Sequence, residues 1–381
     1  MPAGSHLTVD NASSSSDLAS RIIVRLDIMG EAITNRRTWR FAAWSTIALV
    51  AIGVSDCRKE PTAPGESTAQ GRRDYTWKVD TIRAARNRLN QISGTSPDDL
   101  WAVLLGDANR ALYHFDGVTW TSDMVARPFT PNSVFSVSTN DVWSGGLQGK
   151  IWHYDGLTWS EFYQHSVDST SEIIFEAMYG TSPTNLYACG VSFRGQDYWG
   201  LILHFDGHLW RQVTIPTIRT QFVVMKFDGA GSGRYYLLGL SDEQNGPGTY
   251  QFYQFDGSTI AQIGSGTQGS DAAGDILQLG AGTRFIIGHN AYAYSSQTFS
   301  LVAHLADSPQ FLGAGTGRNE RDIFLTFLDG IAHFNGSDTQ YLFSFDGYVR
   351  IVGSQIFERD IFFAGWDLKG NNLVFHGSLK P

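Results

Sequence analysis

Three histidines head the same seven-residue phrase: HFDGVTW at 114–120, HYDGLTW at 153–159 and HFDGHLW at 204–210. An imidazole, a carboxylate and an indole set this close could bind a metal, carry a proton or stack on a sugar. His114, His153, His204 and His333 recur, however, at one position of a repeat. Equivalent positions of successive repeats lie too far apart to share an ion whose ligands must sit about 2 Å from it. No metal and no cofactor is expected. The chain also lacks H-E-x-x-H, a phosphate-binding loop and a Cys–His cluster, so no catalytic residue is assigned. Carboxylate pairs for glycoside hydrolysis would have to be found in space, and no pair stands out. A sialidase-like site needs clustered arginines, a tyrosine nucleophile and an acidic partner. Arg194, Arg234 and Arg284 fall in three successive repeats, but Arg234 and Arg284 stand where other repeats place Asp or Asn.

The elements that position these residues follow from a second phrase upstream of each first one: SPDDLWAVLLG, STNDVWSGG, SPTNLYACG, then weaker versions to ERDIFFAG. The polar residue before each aromatic pair marks the series Asp99, Asp141, Asn185, Arg234, Arg284, Asp322 and Asp360, spaced by 42, 44, 49, 50, 38 and 38 residues. A period in the forties that holds only strand signals implies four antiparallel strands per unit. The fold class is therefore all-β, a seven-bladed β-propeller. In each unit strand a is a segment such as SVFSVS (133–138), strand b is DVWSGG, strand c ends in IWHYDG, and strand d begins at the tryptophan of LTWSEF. The DG step between c and d reads as a turn, because glycine tolerates positive φ and aspartate bonds its own backbone. Asp116, Gly117, Asp155, Gly156, Asp206, Gly207, Asp256 and Gly257 are assigned to such turns, as are Asn335 and Gly336, where Asn preserves turn geometry and discards acid chemistry. VFHGSLK keeps Gly377 alone as a relic of the turn. The last unit has no room for a strand d, whereas RDYTWKVDTI (73–82) resembles one. The strand around Trp77 is expected to complete the seventh blade beside 371–376, leaving no free sheet edge.

Residues 1–72 are of another kind. MGEAITNRRTWR is followed by FAAWSTIALVAIGVSDC, a basic segment and then an apolar stretch of about fourteen residues, short of the roughly 20 a membrane span needs. Residues 29–57 are read as an export signal ending in a lipid-acceptor Cys57, and residues 1–28 as a spurious or disordered extension ahead of it. Val54 and Ser55 fit a lipobox, and Asp56 departs from it. Residues 58–72 are read as a flexible tether, and 73–381 as the propeller. With Cys57 acylated, Cys189 has no disulfide partner. Lipobox and repeats together resemble a family of secreted bacterial propeller lipoproteins, built from S-x-N-D-V-W/Y-A-V-G followed by H-F/Y-D-G-x-x-W. The resemblance covers residues 75–381, strongest in the first three units. It implies a seven-bladed propeller and export to the cell envelope, at the outer membrane or cell surface, without implying an activity. The DG-x-T-W core also resembles the Asp-box of sialidases, although its Asp and Gly stand one residue closer.

A net charge of −9 spread without a basic patch argues against a nucleic-acid partner. The departures from the repeat locate the candidate site. VSFRGQDYWG (191–200) and LSDEQNGPGTY (240–250) are inserted between strands b and c, where the second unit has only GLQG. In a propeller the b–c and d–a connections share one end, and loops on a rigid scaffold carry function. Arg194, Gln196, Asp197, Tyr198 and Trp199 form a set suited to stacking on a sugar or anchoring a protein. The function expected is a monomeric, membrane-anchored binding or scaffolding propeller that recognises an envelope protein or glycan through its b–c and d–a loops. The alternative is a carbohydrate-active enzyme working at the central channel mouth.

Overall fold

The computed structural model describes residues 71–84, 87–106, 111–229, 232–241, 248–267, 274–280 and 282–381. Cys57, the signal segment and residues 58–70 of the tether lie outside the described residues.

Strand β1 (Tyr75–Ile82) is the first of twenty-eight strands among the described residues and belongs to the last blade. Blade 1 is β2 (Arg88–Ser96), β3 (Asp99–Leu105), β4 (Leu112–Phe115) and β5 (Trp120–Thr121), hydrogen-bonded in that order. Blade 2 is β6 (Pro131–Ser138), β7 (Asp141–Gly146), β8 (Lys150–Tyr154) and β9 (Trp159–Gln164). Blade 3 is β10 (Glu172–Ser182), β11 (Asn185–Arg194), β12 (Asp197–Phe205) and β13 (Trp210–Gln212), and blade 4 is β14 (Gln221–Phe227), β15 (Tyr235–Ser241), β16 (Thr249–Phe255) and β17 (Ile260–Thr267). Blade 5 comprises β18 (Asp275–Leu279), β19 (Gly282–Ile287), β20 (Asn290–Ser295) and β21 (Thr298–His304). Blade 6 comprises β22 (Phe311–Asn319), β23 (Asp322–Phe327), β24 (Gly330–Phe334) and β25 (Thr339–Ser344). Blade 7 is β26 (Val349–Ile356), β27 (Asp360–Asp367), β28 (Asn372–Leu379) and then β1.

The first strand of each blade packs on the first strand of the next, through to β26 against β2, so these seven strands form the inner wall of a closed ring. Burial follows position. The second strand, between two neighbours of its own sheet and two flanking blades, is apolar on both faces, and β3 and β23 are buried throughout. The outermost strand is the most exposed, as in β9, where only Trp159 is fully buried. Trp101, Val103 and Leu112 of blade 1 interdigitate with Val134, Val142, Trp152 and Trp159 of blade 2. The same apolar seam joins blades 7 and 1 through Phe362, Ala364 and Val374 against Leu100, Ala102 and Phe115.

β1 pairs with β28 from Tyr75↔Leu379 to Ile82↔Asn372. In blades 1 to 3 the residue after the strand-c histidine faces a tryptophan, as Phe115↔Trp120, Tyr154↔Trp159 and Phe205↔Trp210. In blade 7 the residue after His376 is Gly377, and it faces Trp77. The N-terminal strand thus takes strand d's place in strand d's register. Gly377 itself is not a turn residue: β28 runs straight through it to Leu379, three residues past the strand end read from the sequence. β1 fills the strand-d place beside β28, so no c–d turn is made at this position. A Cβ at Gly377 would stand 2.9 Å from the Trp77 ring, and glycine is there to admit the indole.

Removal of residues 1–70 should leave thermal unfolding unchanged. Removal of residues 1–84 deletes β1, exposes the outer edge of β28 and should lower Tm or cause aggregation; equal Tm values for the two proteins would contradict this role for β1.

Candidate functional site

The two repeated phrases meet in space. The strand-c imidazole Nε2 lies 2.8 Å from the side-chain oxygen at the start of strand b in five blades: His114 with Asp99, His153 with Asp141, His204 with Asn185, His333 with Asp322 and His376 with Asp360. Each ring also packs on the strand-b aromatic, with centroids from 4.0 Å (Phe362–His376) to 4.7 Å (Phe324–His333). The histidines are therefore committed to joining strands b and c. Among the described residues no three His, Cys, Asp or Glu side chains converge on a point that could hold a metal. The His376 bond first, with Ser378, holds Asp360 below the usual carboxylate range against burial, which pushes it up. Sequence reading noticed both phrases but not their pairing, although the common spacing of about one hairpin between them was its signal.

Between strands c and d, Gly117, Gly156, Gly207, Gly257 and Gly336 have φ between 87° and 95°. The Oδ1 of Asp116 accepts from the N–H of Val118 (2.9 Å) and Thr119 (2.8 Å). Asp155, Asp206, Asp256 and Asn335 accept from the corresponding pairs of amides. Backbone donors hold Asp116 and Asp155 below the ordinary carboxylate range, Thr119 and Thr158 first.

The inner wall carries polar groups that sequence reading missed. In blades 1, 2 and 3 a β-bulge interrupts the pairing of strands a and b, and the extra residues are Asn90, Asn132 and Glu176. A bulge leaves its residue outside the ladder and re-aims the side chain. Here it aims along the wall: Asn90 Nδ2 donates to Asn132 Oδ1 (3.1 Å), Asn132 Nδ2 to Glu176 Oε2 (2.6 Å), and Gln221 Nε2 of blade 4 to Glu176 Oε1 (2.6 Å). Burial pushes the Glu176 carboxyl up despite these two donors. In blade 5, burial pushes Asp275 up to about 6, against the N–H groups of Ile276 and Gly315 and the charge of Lys226. Burial likewise lowers Lys226 of blade 4. Tyr179 of blade 3 donates to Gln278 of blade 5 at 2.8 Å, a bond between blades that are not neighbours in the ring. A lone bulged asparagine or glutamate in an apolar strand has no periodic mark in sequence; only the ring shows that three of them adjoin.

The residues singled out in the 191–200 insert do not form a loop. β11 and β12 extend as a ladder to Arg194↔Asp197, closed by the two-residue turn Gly195–Gln196 with φ of 63° at Gly195. Period-2 side chains on both arms favour a long hairpin over a coil. Tyr198 is 3% exposed, Trp199 is half-buried, and Arg194, Gln196 and Asp197 are exposed. Arg219, from the connection between β13 and β14, lies over the Tyr198 ring at 4.4 Å and reaches Asp197 at 3.1 Å. Arg194 stands 3.9 Å from Asp168, on the connection between β9 and β10, whose carboxyl is lowered to about 2, by Thr170 first. One b–c hairpin and two d–a connections thus form a surface of alternating charge around an aromatic pair. Residues 242–247 of the second insert lie outside the described residues. The three arginines weighed for sialidase-like chemistry do not cluster. Arg194 is at a b–c tip, whereas Arg234 pairs with Asp228 (3.0 Å) and Arg284 with Glu320 at the opposite, a–b ends of their sheets.

No family model matches the chain, and no curated protein matches its sequence. Solved structures do match its fold. A catalytically inactive virginiamycin B lyase from Staphylococcus aureus with quinupristin superposes with a TM-score of 0.58 at 13% identity, over 80% of this chain and all of that one. YCF48 bound to D1 peptide gives 0.54 at 13% identity, over 80% and 97% of the two chains. YCF48 from Cyanidioschyzon merolae gives 0.51 at 17% identity, over 79% and 98%. The chain is a seven-bladed β-propeller. At these identities the likeness establishes architecture alone.

The bore carboxylate gives a pH signature. Folded Asp275 releases its proton at about 6 and an unfolded aspartate near 3.8. Between those values the folded state binds more protons, so this residue's contribution to stability falls as pH rises from about 4 to about 6. Across that interval Tm of the wild type minus Tm of Asp275→Asn should drop by ~2 °C or more. A difference independent of pH would show that the carboxyl titrates normally.

Proposed function

We propose that the protein is a non-catalytic binding propeller of a bacterial envelope, and that its partner is a protein segment docking on the b–c and d–a end at blade 3. The observation that carries this is the contact of Arg219 with Asp197 and Tyr198, which fixes a b–c hairpin to a d–a connection. Side chains held in place before binding lose less entropy on binding, which favours a preformed platform. Arg194, Gln196 and Trp199 stand free of that clamp on the same hairpin and offer an amide beside a guanidinium and an indole, the last two being residue types that anchor protein interfaces. A structural neighbour, YCF48, is bound to D1 peptide, which supports a peptide ligand on this architecture. The dispersal of Arg194, Arg234 and Arg284 and the mutual bonding of the bore amides with Glu176 weigh against the carbohydrate-active alternative. Acylated Cys57 would hold the propeller at the membrane, as in the lipoproteins its repeats resemble.

Photo-crosslinking from position 196 should trap an envelope protein, and Arg194→Ala combined with Trp199→Ala should lower its yield about tenfold at unchanged Tm. Yields unaffected by the double substitution would refute the platform, and crosslinks confined to glycan would redirect it to sugar recognition. For the anchor, metabolic fatty-acid labelling should mark the wild type and be lost, with membrane association, in Cys57→Ser. Equal labelling of both proteins would exclude lipidation at this residue.

A further inference from the structure

The five histidine pairs are alike in their bonds and unlike in their exposure. His333 of blade 6 is 0% exposed, whereas His114 of blade 1 is 33% exposed. In blade 6 the difference is made by one side chain. Arg73, just ahead of β1, lies beside the c–d turn of blade 6 and donates to His333 Nδ1 (3.4 Å), His333 O (3.1 Å), Asp338 O (2.6 Å), Asp338 Oδ2 (3.0 Å) and Gln340 Oε1 (3.2 Å). Arg73 reaches this place because blade 7 has no covalent c–d turn: the chain enters there to begin β1, and Tyr75 packs edge-on against Phe324 at 5.4 Å.

Blade 1 presents the same features to blade 2 without an occupant. An outer groove of about 230 Å³ is lined by Trp101, His114, Asp123, Tyr154, Leu157 and Trp159, among others. Trp101 corresponds to Phe324, since it pairs with His114 as Phe324 pairs with His333. Thr121 corresponds to Gln340, each opposite the histidine on strand d, and Thr119 corresponds to Asp338 at the end of the turn. The groove stays open because β5 ends after two residues and because blade 2 meets it with an intact c–d turn, whose Leu157 projects into solvent. His114 Nε2 is held by Asp99, and no contact is seen at its Nδ1 among the described residues. Trp101 and Trp159 are 8% and 7% exposed, and among the described residues their buried indole N–H groups have no acceptor, as is also true of Trp120, Trp152 and Trp210. Acidic groups surround the opening: Asp99 and Asp116 flank His114, Asp155 adjoins Tyr154, and Asp123 lies in the wall, paired with Arg127.

We propose that this outer groove between blades 1 and 2 is a docking site for the arginine side chain of a partner peptide. The guanidinium would take the place that Arg73 fills in blade 6, against His114 Nδ1 and the carbonyls of His114 and Thr119. The aromatic wall suits a cation. The site lies at the c–d end of the sheets and is independent of the blade-3 hairpin.

The full chain is titrated with acetyl-Gly-Arg-Gly-amide and with its citrulline counterpart, followed by saturation-transfer NMR. The arginine peptide should bind at least roughly fivefold more tightly, a difference of about 1 kcal/mol. Thr119→Asp, which restores the carboxylate of blade 6 on an exposed turn, should tighten it by roughly threefold or more. His114→Gln should weaken it to the level of citrulline. Glutamine stands at this register in blade 4 as Gln254, opposite Tyr236, so the blade accepts it. Arg194→Ala should leave the binding unchanged. Equal binding of the two peptides, or equal binding by the wild type and His114→Gln, would overturn the proposal.

Discussion

The ring stands on one ladder, that between β1 and β28. Seven blades of four strands make twenty-eight strands in cyclic order, and this chain closes the ring by placing its first and last strands in one sheet. The eight-residue register from Tyr75↔Leu379 to Ile82↔Asn372 makes that bond non-local, between residues roughly three hundred positions apart. Blades 7 and 1 also join through the burial of Phe362 against Phe115 and the contact of β26 with β2. Loop-closure entropy of so long a span grows only logarithmically with length, and a full strand of backbone pairing outweighs it.

Within each blade the same economy recurs on a smaller scale. A strand b buried on both faces must still start at the surface, and its first polar side chain is satisfied by the imidazole of strand c. This fixes the strand-b to strand-c register in five blades. Blades 4 and 5 replace the starting acid or amide by Arg234 and Arg284, which turn to Asp228 and Glu320 instead. Polar pairing inside the sheet is thus a device for register, and its chemistry is spent on folding.

The proposed binding sites lie where the repeat is broken. The long hairpin of blade 3 breaks it by length, the curtailed β5 of blade 1 by brevity, and the entry of the chain at Arg73 by connectivity. Each break changes what one groove or edge presents while the surrounding scaffold stays rigid. The occupied groove beside His333 and the open one beside His114 show that a single architecture can be either sealed or receptive, according to whether a side chain of the protein itself reaches it.

The sequence by itself determined what is periodic. Repeats near forty residues long, with DG turns and apolar strands, specified a seven-bladed propeller, and the spare TW-led segment at 73–82 specified its closure, because turn chemistry and strand alternation are local properties of residues. Gly377 was misplaced by the same logic: a glycine that elsewhere turns the chain here makes room for an indole from the far end. The tertiary structure alone decided what lies between blades. Asn90, Asn132 and Glu176 stand about forty residues apart with no motif to join them, yet three bulges bring them into one hydrogen-bonded row. Arg219 meets Tyr198, and Arg73 meets His333, across separations no pattern announces. Such contacts depend on which blade faces which, and that is settled only when the ring closes.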